Sequence, residues 1–312
     1  MNEQNLPVLS ARDVSFRLCG SIEVIADGRR IDLGEPKERA LLGALLLAKS
    51  KKQPQDDLMK WLWDEPLPDG AQDEFWRTVS RTRKRLGGLG FVLDRVGKLY
   101  SLEVSEERVD VHVFAAMVQK ADSLLHTDDR QAVALFRQAL DLTSGTLLAD
   151  VEGRRIDGLR QQWAATRRQA MLKMAKARLR LGEHHELISE LLGEHHRNPY
   201  DEAILELLMI AYYRAGDGLK ARQLYRDLKR RLAKVHSTDT MRRLDALYER
   251  MMKRDPDLEP PAEETPTTES GPAPEEQPKQ AASAAAGTHY EFHEKVVAPH
   301  AVFGVSNTYR SR

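Results

Sequence analysis

The first third of the chain contains short alternating runs of apolar and polar residues, followed by longer helical patterns. Three short runs, VSFRLCG, SIEVIADG and RRIDLG, alternate in the way that is typical of half-buried strands. Asp27-Gly28 joins the last two runs, and an Asp-Gly pair suits the positive φ values of a two-residue hairpin turn. The pattern therefore predicts a small antiparallel sheet at the start of the fold.

Two helices are predicted after this sheet. The segment EPKERALLGALLLAKS has Pro36 where a first helical turn accepts proline, and it is apolar on nearly every side from Ala40 to Ala48. This pattern indicates a helix buried within a domain, and it is too short to cross a bilayer. The segment QDDLMKWLW has apolar residues at helical spacing, and the loop DEPLPDG ends that helix.

A third helix is predicted around the segment WRTVSRTRKRL. At about 100° per residue, one face is mostly apolar and consists of Phe75, Val79, Thr82 and Leu86. The opposite face is basic and polar and consists of Arg77, Ser80, Arg81 and Lys84. FVLDRVGKLYSLEV follows and alternates like two strands around Val96-Gly97, with Arg95 and Lys98 beside the turn. The order of sheet, three helices and hairpin predicts a winged helix-turn-helix domain over residues 14–104, whose fold closes with the wing.

Positive charge is concentrated in this third helix and hairpin. The whole chain has 48 basic and 48 acidic residues, but residues 71–100 hold seven basic and three acidic ones. A basic helix face alone is most often a solvated surface, whereas the three-helix order and the basic hairpin favour nucleic-acid binding. The third helix of a winged helix fits the major groove, where arginine can donate two hydrogen bonds to guanine, and the wing reaches the backbone or the minor groove.

Residues 110–254 are predicted to form an all-α domain. VDVHVFAAMVQKADSLL and DRQAVALFRQALDL make one helical pair, and a long amphipathic run extends from Gly158 to Leu181. Gly182 and Gly216 are 34 residues apart, and each lies between two helical patterns. This is the period of tetratricopeptide units, whose stacked helix pairs leave a groove for peptides or protein partners. The predicted fold class is mainly α with a small β component.

The composition changes at Asp255. Residues 255–287 consist mainly of Pro, Glu, Thr and Ala, which predicts a disordered linker because so little apolar surface is available for burial. Residues 255–312 hold ten acidic and four basic residues. The last stretch, residues 288–312, regains aromatic residues and valines. It is either a frayed terminus or a short partner-binding peptide.

Several motifs resemble the Streptomyces antibiotic regulatory protein family of transcriptional activators. In chain order they are FRLCGSIEV, GEPKERALLGALLLA, LMKWLWDE, VSRTRKRLG, VDVHVFAAMV, GTLLADV and LLMIAYYRAGDGLKARQLYRDLKRRL. The resemblance covers residues 14–254 and both predicted domains. It implies an OmpR-type winged helix joined to a bacterial transcriptional activation domain of tetratricopeptide-like helices. Members of the family bind direct repeats near promoters, recruit RNA polymerase and often control specialised-metabolite gene clusters.

The resemblance also implies which residues contact DNA. The recognition pattern of the family falls on Arg77, Thr78, Arg81, Lys84 and Arg85, to which the helix face adds Ser80 and the wing adds Arg95 and Lys98. Two positions depart from the family, because Trp76 and Thr82 stand where a polar residue and a leucine are usual. The expected partners are double-stranded DNA, RNA polymerase holoenzyme and a second copy of the chain, as a dimer on DNA.

Other chemistry has little support in the sequence. No GxxxxGK[ST] motif is present to hold nucleotide phosphates, no Ser/His/Asp or Cys/His arrangement stands out, and no room is expected for a phosphoacceptor domain before the winged helix. The two histidine pairs, His184-His185 and His195-His196, are either surface residues or metal ligands, and their spacing favours the surface. Cys19, the single cysteine, is expected to be a buried strand residue. No cofactor, bound metal or enzymatic activity is expected.

The sequence therefore predicts a cytoplasmic, sequence-specific DNA-binding transcriptional activator. The alternative is a helical-repeat adaptor that does not bind DNA, in which the helical groove and the aromatic tail scaffold a protein complex.

Overall fold

The fold begins with a three-stranded antiparallel sheet. In this computed structural model, residues 14–49, 51–233 and 241–259 are described, and β1 (Val14–Arg17), β2 (Glu23–Ala26) and β3 (Arg29–Ile31) pair in the order β1-β2-β3. Between β2 and β3, Asp27 and Gly28 both have positive φ, of 49° and 74°. This is the backbone of a tight hairpin turn, so the predicted sheet and its turn are confirmed.

Three helices and a second small sheet follow. The helices are α1 (Pro36–Leu47), α2 (Gln55–Leu62) and α3 (Ala71–Gly88). The hairpin is formed by β5 (Leu93–Val96) and β6 (Leu99–Leu102), and a two-residue strand, β4 (Gln53–Pro54), pairs with β6 to give the order β4-β6-β5. Val96 pairs with Leu99, so the turn of the wing is Gly97-Lys98 and lies one residue beyond the predicted Val96-Gly97. Gly97 has a φ of 63°, which places the left-handed residue first in the turn.

The rest of the described chain is helical. After a 3-10 turn at Glu106–Arg108, the helices are α4 (Asp110–Leu124), α5 (Asp129–Leu142), α6 (Arg154–Arg180), α7 (His184–Arg197), α8 (Glu202–Arg214), α9 (Gly218–Ala233) and α10 (Arg242–Met252). Gly182 and Gly216 have φ values of 82° and 78° and separate α6 from α7 and α8 from α9. Their spacing of 34 residues therefore marks equivalent turns of two helical hairpins. The predicted fold class, a winged helix followed by tetratricopeptide-like helices, is confirmed.

The core of the winged helix continues past the wing into the helical region. One hydrophobic cluster joins residues of β1, α1, α3 and the wing to Val109, Val111, Leu147, Leu148, Val151 and Ile156. Backbone hydrogen bonds connect the same parts, because Leu148 N donates to Leu18 O at 2.7 Å and Gly20 N donates to Thr146 O at 2.8 Å. The predicted boundary between residues 104 and 110 is therefore crossed by a shared core, and the winged helix does not close with the wing alone.

Residues 255–259, which the composition assigned to the linker, belong to the folded structure. Pro256–Leu258 form a 3-10 turn, and Leu258 is buried against the cluster of α8 and α10. Arg214 Nε donates to the carbonyl of Leu258 at 2.9 Å, which fixes this turn to α8. The remainder of the predicted linker, 260–287, and the predicted tail, 288–312, lie outside the described residues.

No helix within residues 14–49, 51–233 and 241–259 is both long enough and apolar enough to cross a membrane.

Candidate nucleic-acid interface

The basic face of α3 lies on the surface, as the helical spacing predicted. Phe75, Val79, Thr82 and Leu86 are buried against α1 and the wing, whereas Arg77, Ser80, Arg81 and Lys84 are exposed. The side chains at about 100° steps around one helix are therefore divided into a packed face and a solvent face. Burial of the four inward residues fixes α3, so that the outward residues are presented from a rigid element.

Thr78 does not belong to the exposed face, which corrects its assignment as a DNA contact. Its side chain is 1% exposed, and its hydroxyl donates to the backbone carbonyl of Glu74 at 2.9 Å. The family pattern placed Thr78 among the contact residues, but one helical turn separates it from the buried Thr82, and both point into the fold.

Acidic side chains lie within 4 Å of Arg81 and Arg85 on α3. Arg85 Nε donates to Glu38 Oε2 at 2.8 Å, and Arg85 Nη1 lies 3.6 Å from Asp32 Oδ2. The hydrogen bond to Glu38 raises the pKa of Arg85 above its usual range. Arg81 has longer contacts, at 3.5 Å to Glu74 and 3.7 Å to Glu38. Arg85 is therefore held far more tightly than Arg81.

Arg77 and Lys84 are the least restrained cations of the face. Arg77 Nη1 is 3.8 Å from Glu74 Oε2 in an exposed i,i+3 pair, which contributes little in water. Within the part of the chain that the structure describes, Lys84 has no acidic side chain within 4 Å of its ammonium group. Both side chains can therefore turn toward a ligand without giving up a strong contact.

The wing carries the two predicted cations beside its turn. Arg95 Nε donates to the carbonyl of Gly97 at 2.8 Å, and its guanidinium lies 5.6 Å from the ring centroid of Tyr100. Lys98 occupies the second turn position and is exposed. A third basic residue, Arg83, was not among the predicted site residues, and its Nε donates to the carbonyl of Leu93 at 3.1 Å. This bond fixes the first strand of the wing to α3.

Large apolar side chains that the sequence pattern did not assign to the site are exposed beside the cations. They are Trp76 on α3 and Val92, Val96 and Leu99 on the wing. The signal that could have found them is an apolar residue at an outward helical or strand position. Because an isolated exposed apolar residue is common, this signal becomes informative only when several lie next to a charged surface.

The remaining candidate residues are the two histidine pairs and Cys19, and they form no metal-binding centre within the parts of the chain that the structure describes. No group of three or more His, Cys, Asp or Glu side chains in those parts of the chain is arranged to hold a metal ion. His184 contacts His185 ring to ring, at a centroid distance of 4.5 Å. Cys19 lies at an isolated bridge to Leu147, and burial raises the pKa of its thiol to about 12. A thiol with so high a pKa is a poor nucleophile.

A large groove lies in the helical region. It has a volume of about 1290 Å³ and is lined by one side of α6, by the ends of α5 and α7 with the loops that follow them, and by the starts of α8 and α10. Arg168 on one wall makes an ion pair with Asp201 on the other, with Arg168 Nε 2.6 Å from Asp201 Oδ2. Tyr200 is exposed at the rim. The groove offers both signs of charge and an aromatic side chain to a partner.

Comparison with known proteins identifies the helical region first. Residues 109–252 match the family described as bacterial transcriptional activator domain. The chain is similar to regulatory protein AfsR of Streptomyces griseus, with 30% identity over 265 residues that cover 84% of this chain and 27% of AfsR. It is also similar to regulatory protein DnrI of Streptomyces peucetius, with 27% identity over 249 residues that cover 75% of this chain and 90% of DnrI. The chain thus spans about a quarter of the length of AfsR.

Similarity to a mycobacterial regulator extends to the fold. Transcriptional regulatory protein EmbR of Mycobacterium tuberculosis is 29% identical over 256 residues, which cover 78% of this chain and 64% of EmbR. A solved structure of EmbR in complex with a low-affinity phosphopeptide matches with a TM-score of 0.73 and 28% identity, over 77% of this chain and 65% of that chain. The activator domain, the winged helix and these relatives together show that the chain belongs to the Streptomyces antibiotic regulatory protein family of transcriptional regulators.

Proposed function

We propose that this protein is a sequence-specific DNA-binding transcriptional activator without enzymatic activity. The observation that carries the proposal is the outward basic face of α3 beside a wing whose turn carries Arg95 and Lys98. The major groove of B-DNA is about 12 Å wide and admits an α-helix. A helix packed on one face and basic on the other has the shape and the charge that this groove requires.

The proposed DNA contacts fall into two groups, one on α3 and one on the wing. Arg77, Ser80, Arg81 and Lys84 lie on the solvent face of α3, so they meet base edges and the adjacent phosphates. Arg95 and Lys98 lie at the turn of the wing and contact the DNA backbone. In this arrangement α3 provides sequence discrimination and the wing provides affinity that does not depend on sequence.

The helical region supplies the activating contacts in this proposal. Two copies bind direct repeats at a promoter as a dimer on DNA, and the helical region of each contacts the neighbouring copy, RNA polymerase holoenzyme, or both. The groove of about 1290 Å³, with charges of both signs and Tyr200 at its rim, supports a role in binding a protein segment. The resemblance to antibiotic regulatory proteins supports a specialised-metabolite gene cluster as the target.

The proposal is tested by selection of duplexes from a randomised library with the full chain, followed by transcription with a Streptomyces RNA polymerase holoenzyme. We expect an enriched motif that occurs as a direct repeat, and transcription from a promoter that carries it. The matched control is the Arg77→Ala/Lys84→Ala variant, which leaves the buried face of α3 intact and should lose the enrichment. A library that remains random after selection by the wild-type protein would refute DNA recognition.

The helical-repeat adaptor is the second candidate, because the same groove could serve a complex that contains no DNA. It predicts a random library after selection, together with protein partners that are lost when Tyr200 and Arg243 in the groove are replaced by alanine. The selection therefore separates the two functions before any partner is identified.

A further inference from the structure

A buried carboxylate lies beneath the basic face of α3. It belongs to Glu38 in the first turn of α1, and its side chain is only 2% exposed. Burying an ionised carboxylate is costly unless charged or hydrogen-bonding partners compensate it. The partners of Glu38 are two of the arginines that the sequence assigned to DNA contact, Arg81 and Arg85.

Glu38 holds these two arginines unequally. Its Oε2 accepts a hydrogen bond from Arg85 Nε at 2.8 Å, which is the short distance of a charge-assisted bond. Its Oε1 lies 3.7 Å from Arg81 Nη1 and accepts no hydrogen bond from the described residues. Arg81 can thus leave Glu38 without breaking a hydrogen bond, whereas Arg85 cannot.

The backbone beside Glu38 is shaped around the guanidinium of Arg85. Gly34 has a φ of 80°, and a Cβ atom at this position would lie 2.5 Å from Arg85 Nη2 and 2.8 Å from Glu38 Oε2. Asp32, four residues before α1 begins, adds a weaker contact of 3.6 Å to the other terminal nitrogen. The Arg85 head group is therefore directed toward the N-terminal end of α1, into a site that any residue other than glycine at position 34 would fill.

We propose that Glu38 is a positioning residue for DNA recognition, which keeps Arg85 from the DNA and holds Arg81 in place on the exposed face of α3 until DNA binds. This inference rests on the proposed DNA-binding function and changes the role of Arg85, which becomes a support within the protein rather than a base contact. Separating Arg85 from Glu38 would leave a buried charge without its partner, so the pair persists when DNA binds. Arg81, held only by contacts of 3.5 and 3.7 Å, exchanges them for a base edge.

The test uses the Glu38→Gln variant of the full chain, with the duplex selected by the wild-type protein and a random duplex of equal length. Releasing Arg85 adds a phosphate contact, so the slope of log K against log salt for the random duplex should become steeper by about 1. Because Arg81 is then no longer held in place on the exposed face of α3, the ratio of specific to random affinity should fall about tenfold. A residue that only stabilises the fold would lower both affinities together and leave the slope unchanged.

Asp32→Asn is the matched control, since it removes the same charge beside the same arginine from an exposed side chain. It should change the affinity ratio by less than about twofold, because an exposed pair contributes little. If Asp32→Asn and Glu38→Gln have equal effects, net charge alone explains them and the proposal is overturned.

A second variant keeps the test decisive if Glu38→Gln unfolds, which a thermal melt would detect. Glu38→Gln/Arg85→Gln replaces the ion pair by two uncharged side chains of similar shape. The proposal expects a wild-type salt slope and a reduced affinity ratio, whereas an Arg85 that contacts DNA predicts a slope shallower by about 1. A wild-type protein with no preference for the selected duplex would refute the proposed function and this inference together, while a wild-type preference unchanged in both variants would refute this inference alone.

Discussion

Both carboxylate oxygens of Asp110 lie 2.9 Å from the backbone nitrogen of Leu18, although the two residues are 92 positions apart in the chain. The same carboxylate accepts from the amides of Cys19, at 2.9 Å, and Val111, at 2.8 Å. Asp110, the first residue of α4, thus accepts the hydrogen bonds of the two backbone amides that directly follow β1. A buried hydrogen-bonded group, and not a flexible connection, joins the winged helix to the helical region.

Replacing Asp110 by alanine should reduce the free energy of unfolding by about 2 to 4 kcal/mol, because three amides lose their acceptor in a buried place. Asp110→Asn keeps one acceptor oxygen and should cost less. Chemical denaturation of the full chain measures both values. Glu107→Ala, three residues earlier and exposed, is the control and should change stability by less than about 0.5 kcal/mol. Equal stability of Asp110→Ala and the control would contradict the role of this junction.

A fragment that ends at Glu107 should fail to fold cooperatively. It retains the sheet, three helices and the wing but lacks Asp110 and the apolar side chains of Val109, Leu148 and Val151, which belong to the same hydrophobic cluster. Thermal unfolding followed by circular dichroism compares this fragment with residues 1–259. A sharp transition of the short fragment at the temperature of the longer one would show that the winged helix is independent of the helical region.

Arg77→Ala should weaken binding to the selected duplex by about 1 to 3 kcal/mol if the side chain makes a bidentate contact with guanine. The same loss is expected for Arg81→Ala. Equilibrium binding with labelled duplexes gives the values, and Arg137→Ala, which removes an exposed arginine from α5, controls for net charge. Full affinity of both α3 variants would remove this face from the proposed interface.

Neutralising Arg95 and Lys98 together should weaken binding to selected and random duplexes alike. Backbone contacts release counterions without reading sequence, so the slope of log K against log salt should become shallower by about 2. Titrations at several salt concentrations measure this slope. A loss limited to the selected duplex would instead assign the two residues to base contacts.

Asp129 and Arg180 provide a test by pH. The two side chains make paired hydrogen bonds of 2.6 and 2.7 Å between the start of α5 and the end of α6, and the bond from Arg180 lowers the pKa of Asp129. A carboxyl with a lowered pKa in the folded state stabilises the fold above its unfolded pKa, about 3.9, and loses this contribution as the pH falls through the lowered value.

The difference in unfolding free energy between the wild-type protein and Asp129→Asn should therefore be constant near neutral pH and shrink below about pH 4. Denaturation at a series of pH values measures this difference. The control is the Asp128→Asn variant. Asp128 is the neighbouring exposed residue, and its carboxylate accepts a hydrogen bond from Gln131 N. A difference that grows as the pH falls would contradict the assigned direction.

Much of the fold could be predicted because its elements repeat simple patterns. The segment DRQAVALFRQALDL coincides with α5, Asp129–Leu142, since its apolar residues follow the helical period and an aspartate precedes it as the N-cap. Asp27-Gly28 likewise predicted its hairpin turn, because an Asp-Gly pair readily adopts the positive φ values that the turn requires. In each case, neighbouring residues in the sequence carry the information that decides the structure.

The parts that could not be predicted depend on distant residues or on very short elements. Gln53–Pro54 form a strand of two residues, which is too short to show a period and exists only because β6 lies beside it. Thr78 was placed on the surface by resemblance, yet its burial depends on how α3 packs against α1. The pairing of Arg85 with Glu38 joins positions 47 apart, so the charge of α3 alone gave no sign that one arginine is already occupied.

One hydrophobic cluster connects the wing to Leu147, Leu148 and Val151. If α3 binds the duplex as proposed, the helical region would rotate with it, and its direction would follow the helical phase of the DNA site. Inserting about 5 base pairs between two repeats would rotate the second copy by half a turn, and inserting about 10 would bring it back to the same side. Activation by adjacent copies would therefore rise and fall with spacer length, with a period of about one turn of the DNA helix.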